Sequence, residues 1–519
     1  MCNYIVFKGD SINMLQKICA SIVKIFSAVI ILFLFSASII STSTMASDGY
    51  EHTVFHKDFI VFNILFIAVA IFAIALMGKK NIKISFSQKS LRILTILFFI
   101  GAATLLLVLH PSVYSDSKAV LDAAANFLDS DYTDWNWGGY CYRCSNQNGL
   151  ALYFILVSFL FGPHNNMIVC FFNIFFYWGS AVYLAKIVSS FIQSVHLGKF
   201  IYVLVLFFFP MECYIYFAYG TVPGLFCSLY AIWQLLQWRQ TGKFFHAFCT
   251  GIFMLFSVLL KLNYLIFYLA LLLFILADSM IKENLKGFLV AILLSLFVLL
   301  GQAGVSVLLE SITGAPTDQG IPASAYIAMG LQENEEGTPG WYNGYNYNIY
   351  VAASADKETA SQMSIVEISN ILHKFREDKK DAVSFFTRKT LSQWNNPDFQ
   401  GYWILLWSGD TGYGNFFRVC FGDGQPIRQI SEWLLDKFLM LTWLGNLCYL
   451  WYMRKDHNME NYICYIPFIG GFLFHMFWEG KCQYTVTYFF LLIPYMLLGL
   501  YKIYRHRRIY DPYATQDMV

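Results

Sequence analysis

Asp116 opens the chemically richest stretch of this chain. Between it and Gln147 lie Asp129, Asp131 and Asp134 together with Trp135, Trp137, Tyr140 and Tyr142, and the whole stretch sits between two apolar runs long enough to enter a bilayer. A carboxylate at the edge of a membrane can take a proton from an acceptor hydroxyl while the substrate's tail stays in lipid, and partial burial among aromatic rings raises its pKa toward useful basicity. The structural alternative is that Asp116 caps the helix that starts at Ser117, since Asp is a preferred N-cap. Glu479 and Lys481 form a second ionisable pair between two late apolar runs. Charged groups exposed to lipid there cost about 2.5–3.5 kcal/mol, so they mark function by default. A cation at headgroup level suits a phosphate or diphosphate, whereas the bland reading is an ion pair that closes a hairpin. Lys261 interrupts the apolar run Leu260-Lys261-Leu262-Asn263-Tyr264 and either binds lipid phosphate or marks a turn on the cytoplasmic side.

Other constellations carry less. The four loop aromatics suit sugar stacking, but interfacial belts use the same residues, and the belt is the simpler reading. Cys141 and Cys144 have metal-like spacing, yet no second Cys or His pair follows in the loop, which argues against zinc and for a local disulfide or two free thiols. Most of the other cysteines, of twelve in all, sit in apolar runs as small hydrophobes. His164 and His475 border apolar segments and read as structural. There is no glycine-rich phosphate loop or dinucleotide fingerprint, which argues against an ATP-driven pump and a soluble-nucleotide-sugar enzyme alike.

The elements that position these residues are membrane helices. Of 519 residues 57% are hydrophobic and only 13% charged, and runs such as Ser27–Ile40, Phe59–Met77 and Leu91–Leu109 carry no charge beyond a flanking Arg92. Such a chain cannot solvate its surface as a soluble globule, so an all-α polytopic membrane protein follows. The net charge of +2 gives no reason to expect nucleic acid. The first run, about 18–40, has a basic flank, but its length argues for a retained span over a cleaved leader. Further spans are expected near 59–77, 91–109 and 286–308, with three last ones near 433–453, 461–478 and 484–501. Between 149 and 278 there are six candidates, 149–161, 166–187, 199–218, 221–238, 244–260 and 262–278. An even number cannot carry the chain from the loop side to the basic side, so one of them does not cross, and 149–161 and 244–260 are the briefest. Lys79, Lys80, Lys83, Lys89 and Arg92, then Lys282 and Lys286, Arg454 and Lys455, and finally Lys502, Arg505, Arg507 and Arg508 mark the cytoplasmic ends. Four regions result: a two-span extension over 1–90, a transmembrane module over 91–308 with the loop 110–148, a small α-rich extracytoplasmic domain over 309–430, and a three-span region with a basic tail over 431–519. Inside the third, Lys357–Lys380 reads as a helix with Ile365, Ile368, Leu372 and Phe375 on one face. Within the loop, Ser117–Leu128 reads as an amphipathic segment lying along the interface.

A resemblance joins these pieces. Asp116-Ser117-Lys118-Ala119-Val120, then Ala125 to Tyr132, Gly139-Tyr140, Asn146-Gln147-Asn148-Gly149-Leu150-Ala151-Leu152-Tyr153 and Phe161-Gly162 resemble the first extracytoplasmic loop and following helix of the GT-C membrane glycosyltransferases, in the branch of protein O-mannosyltransferases and aminoarabinose transferases. Farther on, Ile321-Pro322, Ala328 to Leu331, Pro339 to Asn343, and Phe385-Phe386 with Lys389 and Gln393-Trp394 are similar to uncharacterised bacterial members. Trp478-Glu479-Gly480-Lys481 with Tyr484 resembles their element between the last two spans, with Gln483 where some relatives carry Arg. The order of these pieces over residues 91–501 carries the likeness.

The resemblance implies a GT-C-like helical bundle and a sugar transferred, with inversion, from a polyprenyl-phosphate donor to an extracytoplasmic acceptor, whether envelope polymer, glycolipid or protein. It implies Asp116 as catalytic base and Asn146, Gln147, Glu479, Lys481 and Tyr484 as substrate-binding residues, to which Lys261 is added from its place in the apolar run. Where the family often has Asp-Glu, this chain has Asp116-Ser117, so a second carboxylate falls to Asp129, Asp131 or Asp134, of which Asp131 is preferred. No cofactor is expected, with a divalent metal left open. The rival classes are a transporter of lipid-linked saccharides, which broken helices at matching positions would favour, and a non-catalytic scaffold of envelope assembly.

Overall fold

A computed structural model describes residues 2–46, 50–82, 85–192, 194–408 and 414–506; Lys83, Arg507 and Arg508 of the expected basic clusters lie outside the described residues. Long apolar runs become helices because only a helix satisfies its own backbone polar groups without water. Among the described residues seven helices are long and apolar enough to cross a membrane: Met14–Ile40, Ile60–Lys79, Gln88–Leu109, Asn166–Ser189, Leu262–Lys282, Leu285–Thr313 and Cys482–Arg505. The protein is thus a helical, multi-pass membrane protein by length and composition.

The chain begins with α1 (Cys2–Ile40), the strands β1 (Ser41–Met45) and β2 (Thr53–Lys57), α2 (Ile60–Lys79) and α3 (Gln88–Leu109). The hydroxyl of Ser87 caps α3 by accepting from the Ser90 amide, and α3 ends at His110, left-handed just before Pro111. Next come α4 (Ser115–Leu128), α5 (Tyr140–Arg143), α6 (Asn148–Phe161), α7 (Asn166–Ser189), α8 (Val195–Leu206), α9 (Phe209–Glu212), α10 (Thr221–Thr241), α11 (Phe244–Leu260), α12 (Leu265–Lys282) and α13 (Leu285–Thr313). The polar region holds α14 (Ala323–Gly330), α15 (Tyr345–Ala352), α16 (Lys357–Glu377), α17 (Lys379–Trp394), α18 (Gly401–Ser408) and α19 (Gly414–Phe421). The last helices are α20 (Pro426–Tyr452), α21 (Tyr465–Phe477) and α22 (Cys482–His506).

Several expected spans take other forms. The segment expected as one helix over 199–218 bends by 52° where α8 gives way to α9 and the turn after it; Pro210, at the start of α9, has no N–H to continue the α8 ladder. The segment at 149–161 belongs to a pair bent by 98° at Cys144. α11 has 17 residues and α21 only 13. α20 is long enough, at 27 residues, but its first half carries Arg428, Glu432, Asp436 and Lys437, held in ion pairs of 2.7 Å between Arg428 and Glu432 and between Asp436 and Lys437. α20 packs along α22 through two glycines, since a Cβ at Gly445 or Gly499 would collide with the facing backbone of Met496 or Gly445.

The β-hairpin was not expected between the first two spans. β1 and β2 pair antiparallel from Ser41↔Lys57 to Met45↔Thr53. β1 docks on the end of α17, with the Ser43 amide donating to the Asn395 carbonyl at 3.1 Å and the Ser43 hydroxyl to the Leu391 carbonyl at 3.0 Å. The two-span extension is therefore tied into the polar region instead of standing apart from it. In α16 the expected apolar face is also rotated: Ile365 and Leu372 are exposed, while Ala360, Ser364 and Ile371 are buried, on a helix that packs against α14 and α15. The small side chains win that face because they let α14 approach closely.

Candidate functional site

The expected residues converge on one end of the bundle, around the loop between α21 and α22. Glu479 lies in that loop and is buried, with the Tyr484 hydroxyl donating to its Oε2 at 3.3 Å. Lys481 Nζ stands 3.5 Å from Glu479 Oε1 and 2.6 Å from Oε2 of Glu51. Burial holds the Glu479 carboxyl above the usual glutamate range, Lys481 opposes that shift, and the nearby Glu51 and Asp116 carboxylates add to it. Burial works against the charge on Lys481, but the Glu51 and Glu479 carboxylates outweigh it and hold the ammonium well above the ordinary lysine value.

Lys261 comes from the break between α11 and α12. It is buried, donates to the Thr221 hydroxyl at 2.9 Å, and sits between two rings, 5.4 Å from the centroid of Tyr219 and 5.2 Å from that of Tyr484. Burial lowers its pKa to about 7, Lys481 pushes in the same direction, and Glu479 partly offsets both. Gly220 makes this placement possible: a Cβ there would overlap the Leu260 carbonyl, so only glycine brings Tyr219 and Thr221 against Lys261. Gln147 joins the same floor by donating to the Tyr219 hydroxyl at 2.5 Å.

Asp116 reaches this cluster from the far side. Its helix, α4, is capped by Tyr114 without a side-chain bond, so Asp116 sits in the first turn and is not the N-cap. There its charge complements the helix dipole. The partial burial expected of Asp116 is absent: the residue is exposed, with its carboxylate near enough to the Tyr140 hydroxyl to act on it. It nevertheless acts electrostatically on buried Glu479 and on Tyr326 and Tyr342 of the polar region. Asp116, Gln147, Lys261, Glu479, Lys481 and Tyr484 are therefore brought together. Asp131 is not. It is exposed, and its Oδ1 accepts from the Thr133 amide at 3.0 Å, which holds its pKa below the usual aspartate value. Asn146 is also exposed, one residue outside the floor that Gln147 joins.

Two participants, Glu51 and Tyr219, escaped the sequence reading, and two more, Tyr140 and Lys389, were named in it without a role at the site. Glu51 follows β1 and is held by Gln400 Nε2 at 2.7 Å as well as by Lys481; the Asp48-Gly49 dipeptide in the sequence is a signal that could have suggested a hairpin. Tyr140 read as one more interfacial aromatic, and nothing in the apolar run around Tyr219 set that ring apart. Lys389 of α17, completely buried, donates to the Trp478 carbonyl at 2.7 Å and to the Gly330 carbonyl, pinning the polar region to the loop that carries Glu479. Burial lowers its pKa to about 7 against an opposing pull from Glu479.

Cys141 and Cys144 are free thiols, His475 is buried with its ring stacked on Tyr484, and His164 is 3.2 Å from Asp122. Among the described residues no group of three or more His, Cys, Asp or Glu is arranged to hold a metal ion. Chemically the arrangement offers two lysines, buried Lys261 and half-buried Lys481, with Glu51 and Glu479 balancing the charge and the exposed Asp116 carboxylate acting on Glu479. Compared with family models, curated proteins and solved structures, the chain finds no match in any of the three.

Proposed function

We propose that this protein is a GT-C-like glycosyltransferase of the cell membrane that transfers a sugar from a polyprenyl-phosphate donor to an acceptor hydroxyl on the extracytoplasmic side. The observation that carries the reading is the convergence at the loop between α21 and α22 of Lys481, held between Glu479 and Glu51, and of buried Lys261 against Tyr484, with Asp116 near enough for its charge to act on Glu479. Asp116 takes the proton of the acceptor hydroxyl, the acceptor oxygen bonds to the anomeric carbon, and the glycosyl–phosphate C–O bond breaks with inversion. The polyprenyl phosphate leaves carrying the electron pair. Lys481 and Lys261 meet the charge that develops on it, in a setting where low water content strengthens the attraction. Tyr140 orients the base, and Gln147 and Tyr484 hold the floor on which the donor phosphate rests.

A second reading has one observation in its favour. Two helix pairs are broken, by 98° at Cys144 and by 52° after Leu206, and broken helices are a feature of transporters for charged substrates. Incubating the purified protein with radiolabelled polyprenyl-phosphate sugars and an extract of envelope acceptors separates the two. Release of free polyprenyl phosphate, lost in Asp116→Asn, supports the transferase; movement of intact donor across proteoliposomes without release supports the transporter and refutes bond making.

A further inference from the structure

A second site lies at the opposite, basic end of the bundle. α1 packs on α20 and α2 on α22, and between these pairs runs a groove of about 790 Å³, within the ~300–1,000 Å³ typical of small-molecule sites. Ile25, Ala28, Ile71, Leu447 and Ile503 give it an apolar wall. Its mouth is cationic. Lys24 Nζ donates to the carbonyls of Arg454 at 2.8 Å and Asp456 at 2.7 Å, which leaves one of its three donors for a ligand. Arg454 is exposed, with its guanidinium 4.8 Å above the ring of Trp451, an aromatic–basic pairing suited to headgroup depth.

The electrostatics of that mouth favour an anion. Among the described residues no carboxylate lies within ion-pair distance of Lys24 or Arg454. Asp456, whose charge acts on Lys24, forms no ion pair with it and spends its carboxylate on the Asn458 amide at 2.8 Å and the Asn461 side chain. Lys17 adds positive charge: it and Lys24 act together on His457, with Asp456 opposing them. An apolar groove between membrane helices that ends in unpaired cations is the geometry that holds a phosphate headgroup with its acyl chain.

We propose that this groove binds an anionic phospholipid, with one acyl chain against Ala28, Ile71 and Leu447 and its phosphate at Arg454 and Lys24. Each cation is worth about fivefold in affinity, so the pair favours anionic over zwitterionic lipid by about twenty-five-fold. The site is independent of the glycosyl-transfer reading.

Native mass spectrometry of the full chain, titrated with phosphatidylglycerol and phosphatidylcholine of the same acyl chains, tests it. The wild type retains phosphatidylglycerol about twenty-five-fold better; Arg454→Gln, at an exposed position, lowers that preference about fivefold and leaves phosphatidylcholine unchanged. Leu447→Trp, which fills the groove, weakens both lipids. Equal retention by the wild type, or an unchanged preference in Arg454→Gln, overturns the proposal, as does displacement of bound phosphatidylglycerol by inorganic phosphate. Should Leu447→Trp not fold, Arg454→Gln decides alone.

Discussion

Replacing Lys481 by Met leaves two carboxylates without their cation, and the size of the effect follows from their burial. The side chain of Glu479 is 10% exposed and that of Glu51 25%, so Glu479 carries most of the cost. Breaking a buried ion pair by removing one partner costs about 3–5 kcal/mol. Glu51 is partly screened by solvent and keeps its bond from Gln400, and Glu479 keeps the Tyr484 hydroxyl, which places the expected loss near the lower end, about 3 kcal/mol at pH 8. The loss depends on pH. Burial already holds the Glu479 carboxyl above its unfolded value, and removing Lys481 takes away the opposing charge, so it rises further. The folded state then binds the proton more tightly than the unfolded state, and stability is lost as pH rises through the folded value and regained as pH falls. Reversible unfolding by SDS in mixed micelles, at pH 5 and pH 8, measures both effects. Lys481→Met is less stable than wild type by about 3 kcal/mol at pH 8 and by clearly less at pH 5, and adding Glu479→Gln recovers about 2 kcal/mol at pH 8 by removing the stranded charge. A deficit under about 1 kcal/mol at pH 8, or one that does not shrink at pH 5, refutes the reasoning.

Three further outcomes are expected. Arg239 binds Asp278 through Nε at 3.0 Å and Nη2 at 2.7 Å, and also pairs with Glu460, joining α10 to α12 and to the segment before α21; Arg239→Met costs about 3–5 kcal/mol in the same unfolding assay, with Lys282, 3.1 Å from Asp278, too exposed to make up the loss. The folded value of Lys389 lies near 7, below that of a free lysine, so the folded state binds fewer protons and stability rises with pH from about 7 toward 10; Lys389→Met flattens that rise when unfolding is measured across the window. Gly220→Ala drives a methyl into the Leu260 carbonyl, costs about 1–3 kcal/mol, and weakens donor retention in a filter-binding assay because Lys261 is pushed off Thr221.

Much of the site was legible because membranes make charge conspicuous. Lys261, Glu479 and Lys481 stand out as ionisable residues between apolar runs, and each is found in the cluster. Asp116 was legible from its place after a span, although neither a capping role nor partial burial describes it. What periodicity does not encode is which distant element comes to meet it. Glu51, set in a polar link between two spans, is placed against Lys481 by a hairpin whose register depends on Asn395 and Leu391, some 350 residues away. Asp131 could not be told from Asp129 or Asp134 by type or neighbourhood, and its local turn bond to Thr133 is not encoded in the pattern. Hydropathy likewise marked 199–218 and 461–478 as apolar without revealing the bend before Pro210 or the late start of α21. In α16 the bulkier apolar residues suggested the wrong face, because close packing selected Ala360 and Ser364.

The most direct test of the account is single-turnover release of polyprenyl phosphate from a labelled polyprenyl-phosphate sugar by purified wild-type protein and by Asp116→Asn. The account predicts release by the wild type, and a fall of about 10²–10⁴-fold in the variant with donor binding intact. Release by Asp116→Asn at the wild-type rate, with the same donor bound, would contradict it.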